Sequence, residues 1–248
     1  MTDFGVVDSY VAEMKGVLLS RLPRAVIVDI THAIAPQDVQ AGSIVLERAV
    51  RAFPAGTVHI GVVDPGVGSA RKLLAVSVNG QTVICPDNGL ITWTWHRHPG
   101  AKAHEIVWRP EHGSATFHGR DVMAPVAARL AAGLSLRSLC LPLAAPILLD
   151  LAPARSNDEV RIIHIDHFGN AVTNLLAGSI DQPDRATIRL GRRRILLRGT
   201  YADVDVGQAV ALIGSSGLVE IAVRNGSAAR ELRLKLGMPI RIRSGPSA

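Results

Sequence analysis

The chain has 248 residues, of which 48% are hydrophobic, and its mean hydropathy is positive. This length and composition allow a sizeable buried core in one large domain or two ordinary ones. Because Cys85 and Cys140 are the only cysteines, a disulfide framework is excluded, and we expect a cytoplasmic protein. The first ten residues carry Asp3 and Asp8, and no apolar run reaches about 18 residues, so we expect neither a secretory signal nor a membrane span.

The formal charge of +6 raises the question of nucleic-acid binding. Residues 1–150 hold 13 Lys and Arg against 12 Asp and Glu, whereas residues 151–248 hold 14 against 9, so the excess lies in the second part. Its densest run, Arg192-Arg193-Arg194 beside Gly191, is typical of a hairpin tip. Few aromatic residues are available for base stacking and no nucleic-acid motif is present, so we predict no nucleic-acid partner.

The first sixty residues alternate helical and strand patterns. Apolar spacing predicts a helix over 9–22 with Ser9 as its N-cap, and a second helix after Pro36. The apolar runs 25–30 and 57–63 are typical of strands buried on both faces of a sheet. Strands that alternate with helices predict a mainly parallel sheet.

The next segment adds antiparallel pairing, so the predicted sheet is mixed. Asn79-Gly80 between 73–78 and 82–85 is the strongest short-range hairpin signal. A further helix is predicted from Asp121 to Gly133.

From residue 158 onward the pattern changes to short strands separated by turns, which predicts an antiparallel, barrel-like β domain. We therefore predict an α/β domain over 1–142, a proline-containing linker over 143–157 and an all-β domain over 158–248. The predicted strands of the second domain are 159–165, 186–190, 194–197, 209–213, 219–223 and 239–242.

Three side chains are the leading candidates for chemistry. Asp64 follows a predicted buried strand, where open α/β sheets bind ligands, and Arg71 lies in the same glycine-containing segment. His118 lies beside a glycine in a second segment, far away in the sequence. A carboxylate and a guanidinium beside an imidazole fix its tautomer and hold one water molecule. The alternative, at even odds from spacing alone, is a capped turn, a solvated arginine and a loop histidine. We predict no metal site, since neither Asp64 nor His118 has a ligand partner at metal-binding spacing.

Other motifs are weaker. Gly66-Val67-Gly68 precedes a strand and is too short for dinucleotide binding, and Ser215-Ser216-Gly217 lacks the helix of a nucleophile elbow. Asp3 could accept two hydrogen bonds from a diol such as ribose, or could merely complement a helix dipole. Phe168 and Asn170 offer a stacking face and an amide for an adenine, or form an ordinary turn.

Several segments together resemble one family, in order and over nearly the whole chain: the S-adenosylmethionine hydroxide adenosyltransferases, hydrolase relatives of the fluorinase and chlorinase enzymes. The resemblance implies a mixed α/β domain followed by a β-barrel-like domain. It also implies a homotrimer whose sites lie between subunits. The segments that carry the resemblance are Thr2-Asp3-Phe4-Gly5, Asp29-Ile30-Thr31-His32, Val63-Asp64-Pro65-Gly66-Val67-Gly68, Pro86-Asp87-Asn88-Gly89, Phe117-His118-Gly119-Arg120-Asp121, Asp166-His167-Phe168-Gly169-Asn170 and Ser215-Ser216-Gly217.

The resemblance implies that water or hydroxide displaces methionine from the ribose 5′ carbon of S-adenosylmethionine. The products would be adenosine and L-methionine, and no cofactor is needed because S-adenosylmethionine is itself the substrate. Asp64, Arg71 and His118 match the set of residues that holds the water. The halogenating relatives carry Tyr and Thr where this chain has Asp64 and Val67, which favours water over halide.

The resemblance also assigns substrate contacts. Asp3 matches the carboxylate that binds the ribose diol, with Asp8 assisting at the methionine end. Two alternatives remain open: a halogenase, and a protein that binds S-adenosylmethionine or adenosine without catalysis. The implied contacts in the second domain are Asp166 for the methionine ammonium, Ser215 for its carboxylate with Ser216 beside it, Phe168, Asn170 and Tyr201 for adenine, and main-chain groups near Val223 and Asn225.

Overall fold

A computed structural model describes residues 1–155 and 158–243. The chain divides into two compact units, Met1–Asp150 and Leu151–Ala248. The end of the predicted linker, residues 156 and 157, lies outside the described residues.

The first unit is built on a five-stranded mixed sheet of order β1-β3-β2-β4-β5. Its mixed character is confirmed, but the expectation of a mainly parallel sheet is wrong: β1 pairs with β3 in parallel, and the other three pairs are antiparallel. Among the described strands of this unit, only β2 and β3 are joined by a tight hairpin turn, and β4 and β5 are then added antiparallel on the other side of β2. The strands are β1 (Val58–Ile60), β2 (Leu73–Val78), β3 (Gln81–Pro86), β4 (Lys102–Ile106) and β5 (Cys140–Pro142).

Helices cover both faces of this sheet. On one face Leu46 and Val50 pack with Val76 of β2, and on the other Met14 and Val126 pack with Ala75. Alternate residues of β2 therefore enter two cores, as expected for a strand buried on both sides. The helices are α1 (Tyr10–Arg21), α2 (Val39–Ala52), α3 (Thr92–Arg97) and α4 (Ala124–Ala131), the last preceded by a π-helical turn, Gly119–Met123.

The predicted helices are confirmed, with α3 as an addition. Ser9 occupies the N-cap position of α1, but its hydroxyl donates to Glu13 Oε1 at 2.7 Å and does not cap the backbone. Helix α2 begins after Asp38, whose Oδ1 accepts from the Ala41 N–H at 2.8 Å. The hairpin between β2 and β3 is also confirmed, because Asn79 and Gly80 both have positive φ (49° and 72°), as its tight turn requires.

The predicted strand at 25–30 is wrong. This run forms no regular structure, and Val26 is 91% exposed. Within the described part of the chain, no strand pairs with residues 25–30. The backbone that pairs in parallel with Val62 is instead that of Thr2, whose N–H also donates to the Thr31 carbonyl at 3.1 Å. Instead, the run lines an apolar cavity of about 460 Å³ beside β1 and α1.

The second unit is a closed barrel of seven strands in the order β10-β11-β7-β6-β12-β8-β9. Neighbours pair antiparallel except β9 and β10, which close the barrel in parallel. The predicted strands are all present, and β7 is an addition. The elements are β6 (Val160–Ile165), β7 (Ala171–Leu176), β8 (Thr187–Leu190), β9 (Arg193–Arg198), β10 (Ala209–Ile213), β11 (Leu218–Val223), the short helix α5 (Ala228–Glu231) and β12 (Pro239–Arg243).

Aliphatic side chains fill the barrel, among them Ile162, Ile188 and Ile221. Gly191 and Arg192 form the hairpin turn between β8 and β9 that the sequence predicts, and Arg193 and Arg194 begin β9. Among the described residues, no helix has the length and apolar character that crossing a bilayer requires.

Candidate active site

Three segments of the first unit meet beyond the carboxyl end of β1. Thr2 forms a parallel bridge with Val62, and the Asp3 N–H donates to the Val62 carbonyl at 3.3 Å. Gly119 lies against the same residue: a Cβ added there would stand 3.5 Å from the Val62 side chain and 3.2 Å from Met14 Sδ. A glycine at 119 therefore lets the loop with His118 approach the segment with Asp64.

Asp64, Arg71 and His118 form one hydrogen-bonded group. Arg71 Nε donates to Asp64 Oδ1 at 2.8 Å, and its Nη2 donates to Asp64 Oδ2. The same Nη2 donates to His118 Nδ1 at 2.9 Å. The side chains of Asp64 and Arg71 are only 6% and 8% exposed. This bidentate, shielded ion pair fixes both partners far more firmly than an exposed pair would.

The contact with Arg71 determines the protonation of His118. A guanidinium has donors and no acceptor, so Nδ1 of His118 must accept, and a neutral ring then carries its proton on Nε2. Burial and then the Arg71 charge hold the pKa of His118 below its usual 6.5, against a smaller opposing effect of Asp64. His118 is therefore neutral at pH 7 and presents an N–H donor from Nε2.

A second ion network supports the loop around His118. Arg120 donates from Nε to Asp121 Oδ1 at 2.7 Å and from Nη1 to Glu13 of α1 at 2.8 Å. Asp121 Oδ2 accepts from the Ser114 N–H at 2.7 Å. These contacts tie the loop before His118 to the helix after it.

An aromatic cluster beside His118 was not foreseen from the sequence. The ring centroids of Phe4, Tyr10 and Phe117 lie 5.4 to 5.9 Å apart. The Arg120 guanidinium lies 4.9 Å from the Phe117 centroid. The signal was the placement of Phe4 and Phe117 directly beside the motif residues Asp3 and His118.

Asp3 already receives one backbone hydrogen bond. Its Oδ2 accepts from the Gln37 N–H at 2.8 Å. Gln37 has φ of 67°, a left-handed conformation that is costly outside glycine and that clusters at functional sites. The other predicted carboxylate of this unit, Asp8, is exposed before α1.

In the barrel unit, Asp166 organises the turn that connects β6 and β7. Its Oδ1 accepts from the backbone of Phe168 at 3.0 Å and of Asn170 at 2.9 Å, and its Oδ2 accepts from Asn170 Nδ2 at 3.1 Å. Asn170 is buried, and its hydrogen bond to Asp166 uses one of the two N–H donors of its side-chain amide. Phe168, at 74% exposure, presents its ring to solvent.

The other predicted barrel residues lie on loops of the same unit. Tyr201 begins a 3₁₀ turn and donates its hydroxyl to Glu220. Ser215 is exposed and Ser216 is buried in the turn between β10 and β11. The Val223 carbonyl accepts from the Gly226 N–H at 3.1 Å, and Asn225 between them has φ of 56°.

The geometry thus joins Asp64, Arg71 and His118 and leaves the substrate contacts on separate loops of the two units. Within residues 1–155 and 158–243, no group of three or more His, Cys, Asp or Glu side chains is placed to hold a metal ion. The joined group offers a hydrogen-bond acceptor at Asp64 and a hydrogen-bond donor at His118, and the two together can orient a water molecule.

Comparison with known families matches both units. Residues 1–140 match the SAM hydroxide adenosyltransferase N-terminal domain, and residues 160–241 match the corresponding C-terminal domain.

Full-length relatives agree with these matches. A protein of Thermus thermophilus named (R)-S-adenosyl-L-methionine hydrolase is 40% identical over 98% of this chain and 97% of its own length. A protein of the same name from Salinispora tropica is 36% identical over 98% and 96%. A fluorinase of Nocardia brasiliensis is 30% identical over 99% and 96%.

Solved structures share the whole architecture. An uncharacterized conserved protein from Thermotoga maritima superposes with a TM-score of 0.89 at 35% identity and covers 98% of both chains. A conserved hypothetical protein from Thermus thermophilus superposes with a TM-score of 0.84 at 39% identity, over 98% of this chain and 97% of the other.

Proposed function

Since the chain belongs to the SAM hydroxide adenosyltransferase family, we propose that it is an enzyme that hydrolyses S-adenosyl-L-methionine to adenosine and L-methionine. The observation that carries the proposal is the group formed by Asp64, Arg71 and His118, in a chain similar over nearly its full length to hydrolases of this substrate. A sulfonium leaves as a neutral thioether, so the reaction needs neither a general acid nor a cofactor. The protein has to supply position and a shielded nucleophile.

We assign distinct roles to the three residues. His118 donates from Nε2 to the water oxygen and orients it, because its Nδ1 is occupied by Arg71. Asp64 accepts a proton of that water. As the oxygen bonds to C5′, the C5′–S electron pair passes to sulfur, and the proton lost from the new hydroxyl leaves through Asp64 to solvent. Arg71 fixes the positions of Asp64 and His118 relative to each other through its hydrogen bonds to both.

The substrate contacts remain assignments by family kinship. Asp3 binds the ribose diol, and the hydrogen bond that its Oδ2 accepts from the Gln37 backbone supports this role because it fixes the carboxylate. Asp8 assists at the methionine end. We place the remaining contacts on the barrel unit: Asp166, Phe168, Asn170, Tyr201, Ser215, Ser216, Val223 and Asn225.

We further propose a cytoplasmic homotrimer in which the catalytic group of one subunit is completed by the barrel residues of its neighbour. The support is kinship alone. Analytical ultracentrifugation, with activity measured on either side of trimer dissociation, tests it. Full activity of a monomer would contradict the shared site.

The names of the relatives specify the stereochemistry of their substrate. In (R)-S-adenosyl-L-methionine the methionine part is already specified as L, so the prefix describes the configuration at the sulfonium sulfur. We propose that this chain also prefers the (R) sulfonium epimer. Such a preference would leave the (S) epimer intact, and a site that holds both the adenosine and the amino-acid ends would discriminate between them.

Product analysis tests the function. Purified protein is incubated with each sulfonium epimer, with and without chloride, and the products are separated by liquid chromatography and mass spectrometry. Adenosine and methionine in equal amounts, formed faster from the (R) epimer and unaffected by chloride, are expected. Formation of 5′-chloro-5′-deoxyadenosine indicates a halogenase, and tight binding without turnover indicates a binding protein; either result contradicts the proposal.

A further inference from the structure

Glu220 is a buried carboxylate in an otherwise apolar strand. It lies in the middle of β11 and is only 5% exposed. Its partners in register are Leu212 on β10 and Val172 on β7. A carboxylate in such a place is costly unless it is hydrogen-bonded, so its contacts require an explanation.

Two loops converge on this carboxylate. Its Oε1 accepts the hydroxyl of Tyr201. Its Oε2 lies against Gly214: a Cβ added to that glycine would stand 2.4 Å from Oε2 and 3.0 Å from the carboxyl carbon. Gly214 begins the turn before Ser215 and Ser216. Glu220 therefore contacts both the loop with the proposed adenine-stacking ring and the turn with the proposed methionine-carboxylate ligand.

The backbone of the Tyr201 loop is held by other groups. Thr200 and Asp203 form a reciprocal capping box around it, and Arg224 Nη1 donates to the Val204 carbonyl at 2.7 Å. The backbone of this loop is therefore held by groups other than Glu220. What the hydrogen bond to Glu220 adds is a fixed direction for the Tyr201 ring, whose residue is 43% exposed and would otherwise rotate.

The Tyr201 hydroxyl remains a donor across the working pH range. Burial, then the hydrogen bond and charge of Glu220, and finally the charge of Asp166 raise its pKa to about 12. Asp166, the proposed ligand of the methionine ammonium, thus acts on the Tyr201 hydroxyl through its charge. Glu220 thus links the Tyr201 ring to the 214–217 turn of the barrel unit.

We propose that Glu220 is a positioning residue for substrate binding: it orients the Tyr201 ring and supports the 214–217 turn. The proposal rests on the proposed function, since the ring and turn matter only if the site binds S-adenosylmethionine. Glu220 does not touch the reacting atoms. Its loss should raise KM and leave kcat nearly unchanged.

Steady-state kinetics of a small variant set tests this. Glu220→Gln keeps an oxygen acceptor for the Tyr201 hydroxyl, so its KM should stay within about twofold of wild type. Glu220→Leu should raise KM by about five- to tenfold, as expected for one lost hydrogen bond, with kcat within about threefold. Tyr201→Phe should raise KM by a similar factor, and the double variant Tyr201→Phe/Glu220→Leu should be no worse than the poorer single variant.

The controls distinguish misfolding of a variant from failure of the proposed function and from failure of the proposed role of Glu220. Glu159→Leu, on an exposed residue of the same unit, should leave both constants unchanged. If Glu220→Leu does not fold, as judged by circular dichroism, Tyr201→Phe tests the same bond from the other side. If wild type forms no adenosine, the proposed function fails; if wild type is active while KM is unchanged in Tyr201→Phe and Glu220→Leu, or their effects multiply, the role of Glu220 is overturned.

Discussion

The proposed catalytic group of the first unit, Asp64, Arg71 and His118, and the exposed residues proposed for binding on the barrel unit differ in how firmly their side chains are held. Asp64 and Arg71 are almost fully shielded and bonded to each other, and His118 is bonded to Arg71. Phe168 and Ser215 are exposed on loops. A nucleophile must be positioned before the substrate arrives, because its geometry sets the barrier, whereas an exposed ring such as Phe168 can gain its order from the ligand. The comparison therefore predicts kcat effects from the first group and KM effects from the second.

The largest expected effect is that of Asp64→Asn. The amide keeps the size of the side chain but removes the charge that binds Arg71 and the acceptor proposed for the water proton. We expect kcat to fall by roughly 10²- to 10⁴-fold with KM little changed. Single-turnover kinetics with saturating enzyme checks this, and a variant with unchanged kcat would remove Asp64 from the chemistry.

The pH dependence of kcat is the next test. Because burial and Arg71 lower the pKa of His118, the ring is neutral at pH 6.5 and above and becomes charged only as the pH falls below that value. A charged ring carries a proton on Nδ1 and loses the hydrogen bond from Arg71. We expect kcat to be flat near pH 7 and to decline on an acid limb with its midpoint below 6.5, by about tenfold per pH unit beyond it.

The control for the acid limb of the kcat profile is His118→Gln. This variant should have a low kcat, and its pH profile should lack the decline that is caused by protonation of His118. An acid limb that persists unchanged in His118→Gln would assign the titration to another group. Full activity of His118→Ala would contradict the role of the ring altogether.

Asp3 lies in the same unit as the proposed catalytic group but is assigned to substrate binding. Asp3→Ala removes the proposed ribose contact and leaves the Gln37 N–H without its acceptor. We expect KM to rise about tenfold with kcat within a few-fold. Calorimetry with adenosine should show the same loss, whereas a kcat effect alone would place Asp3 in the chemistry.

The smallest expected effect is that of Phe168→Ala. An exposed ring that stacks on a base contributes about 0.5–1.5 kcal/mol beyond its buried area, so KM should rise by about two- to tenfold at constant kcat. Phe168→Tyr, which keeps the ring, is the matched control. A wild-type KM in Phe168→Ala would show that the ring does not contact the substrate.

Local patterns in the sequence predicted much of the fold. The helices α1 and α2 and the hairpin at Asn79-Gly80 depend on residues close in the chain, and they are present. The run 25–30 has the composition of a buried strand but lacks a partner among the described residues, and pairing cannot be read from one segment. Strand β7 was missed because Thr173 and Asn174, although buried, interrupt its apolar pattern.

The site was predictable to a similar extent. The family motifs predicted that Arg71 and His118 act together although 47 positions separate them in the sequence. In the structure, Arg71 Nη2 lies 2.9 Å from His118 Nδ1. The tautomer of His118 could not be predicted, because it depends on which nitrogen faces the guanidinium. The contact of Tyr201 with Glu220 was also missed, since a single acidic residue in an apolar strand does not indicate which loop it meets.

In the proposed mechanism, Asp64, Arg71 and His118 hold the water molecule that attacks the ribose 5′ carbon. The most direct test is a single turnover in ¹⁸O-labelled water, followed by mass spectrometry of both products. One labelled oxygen in the 5′ hydroxyl of adenosine and none in methionine is the predicted result. Unlabelled adenosine would contradict direct attack by water.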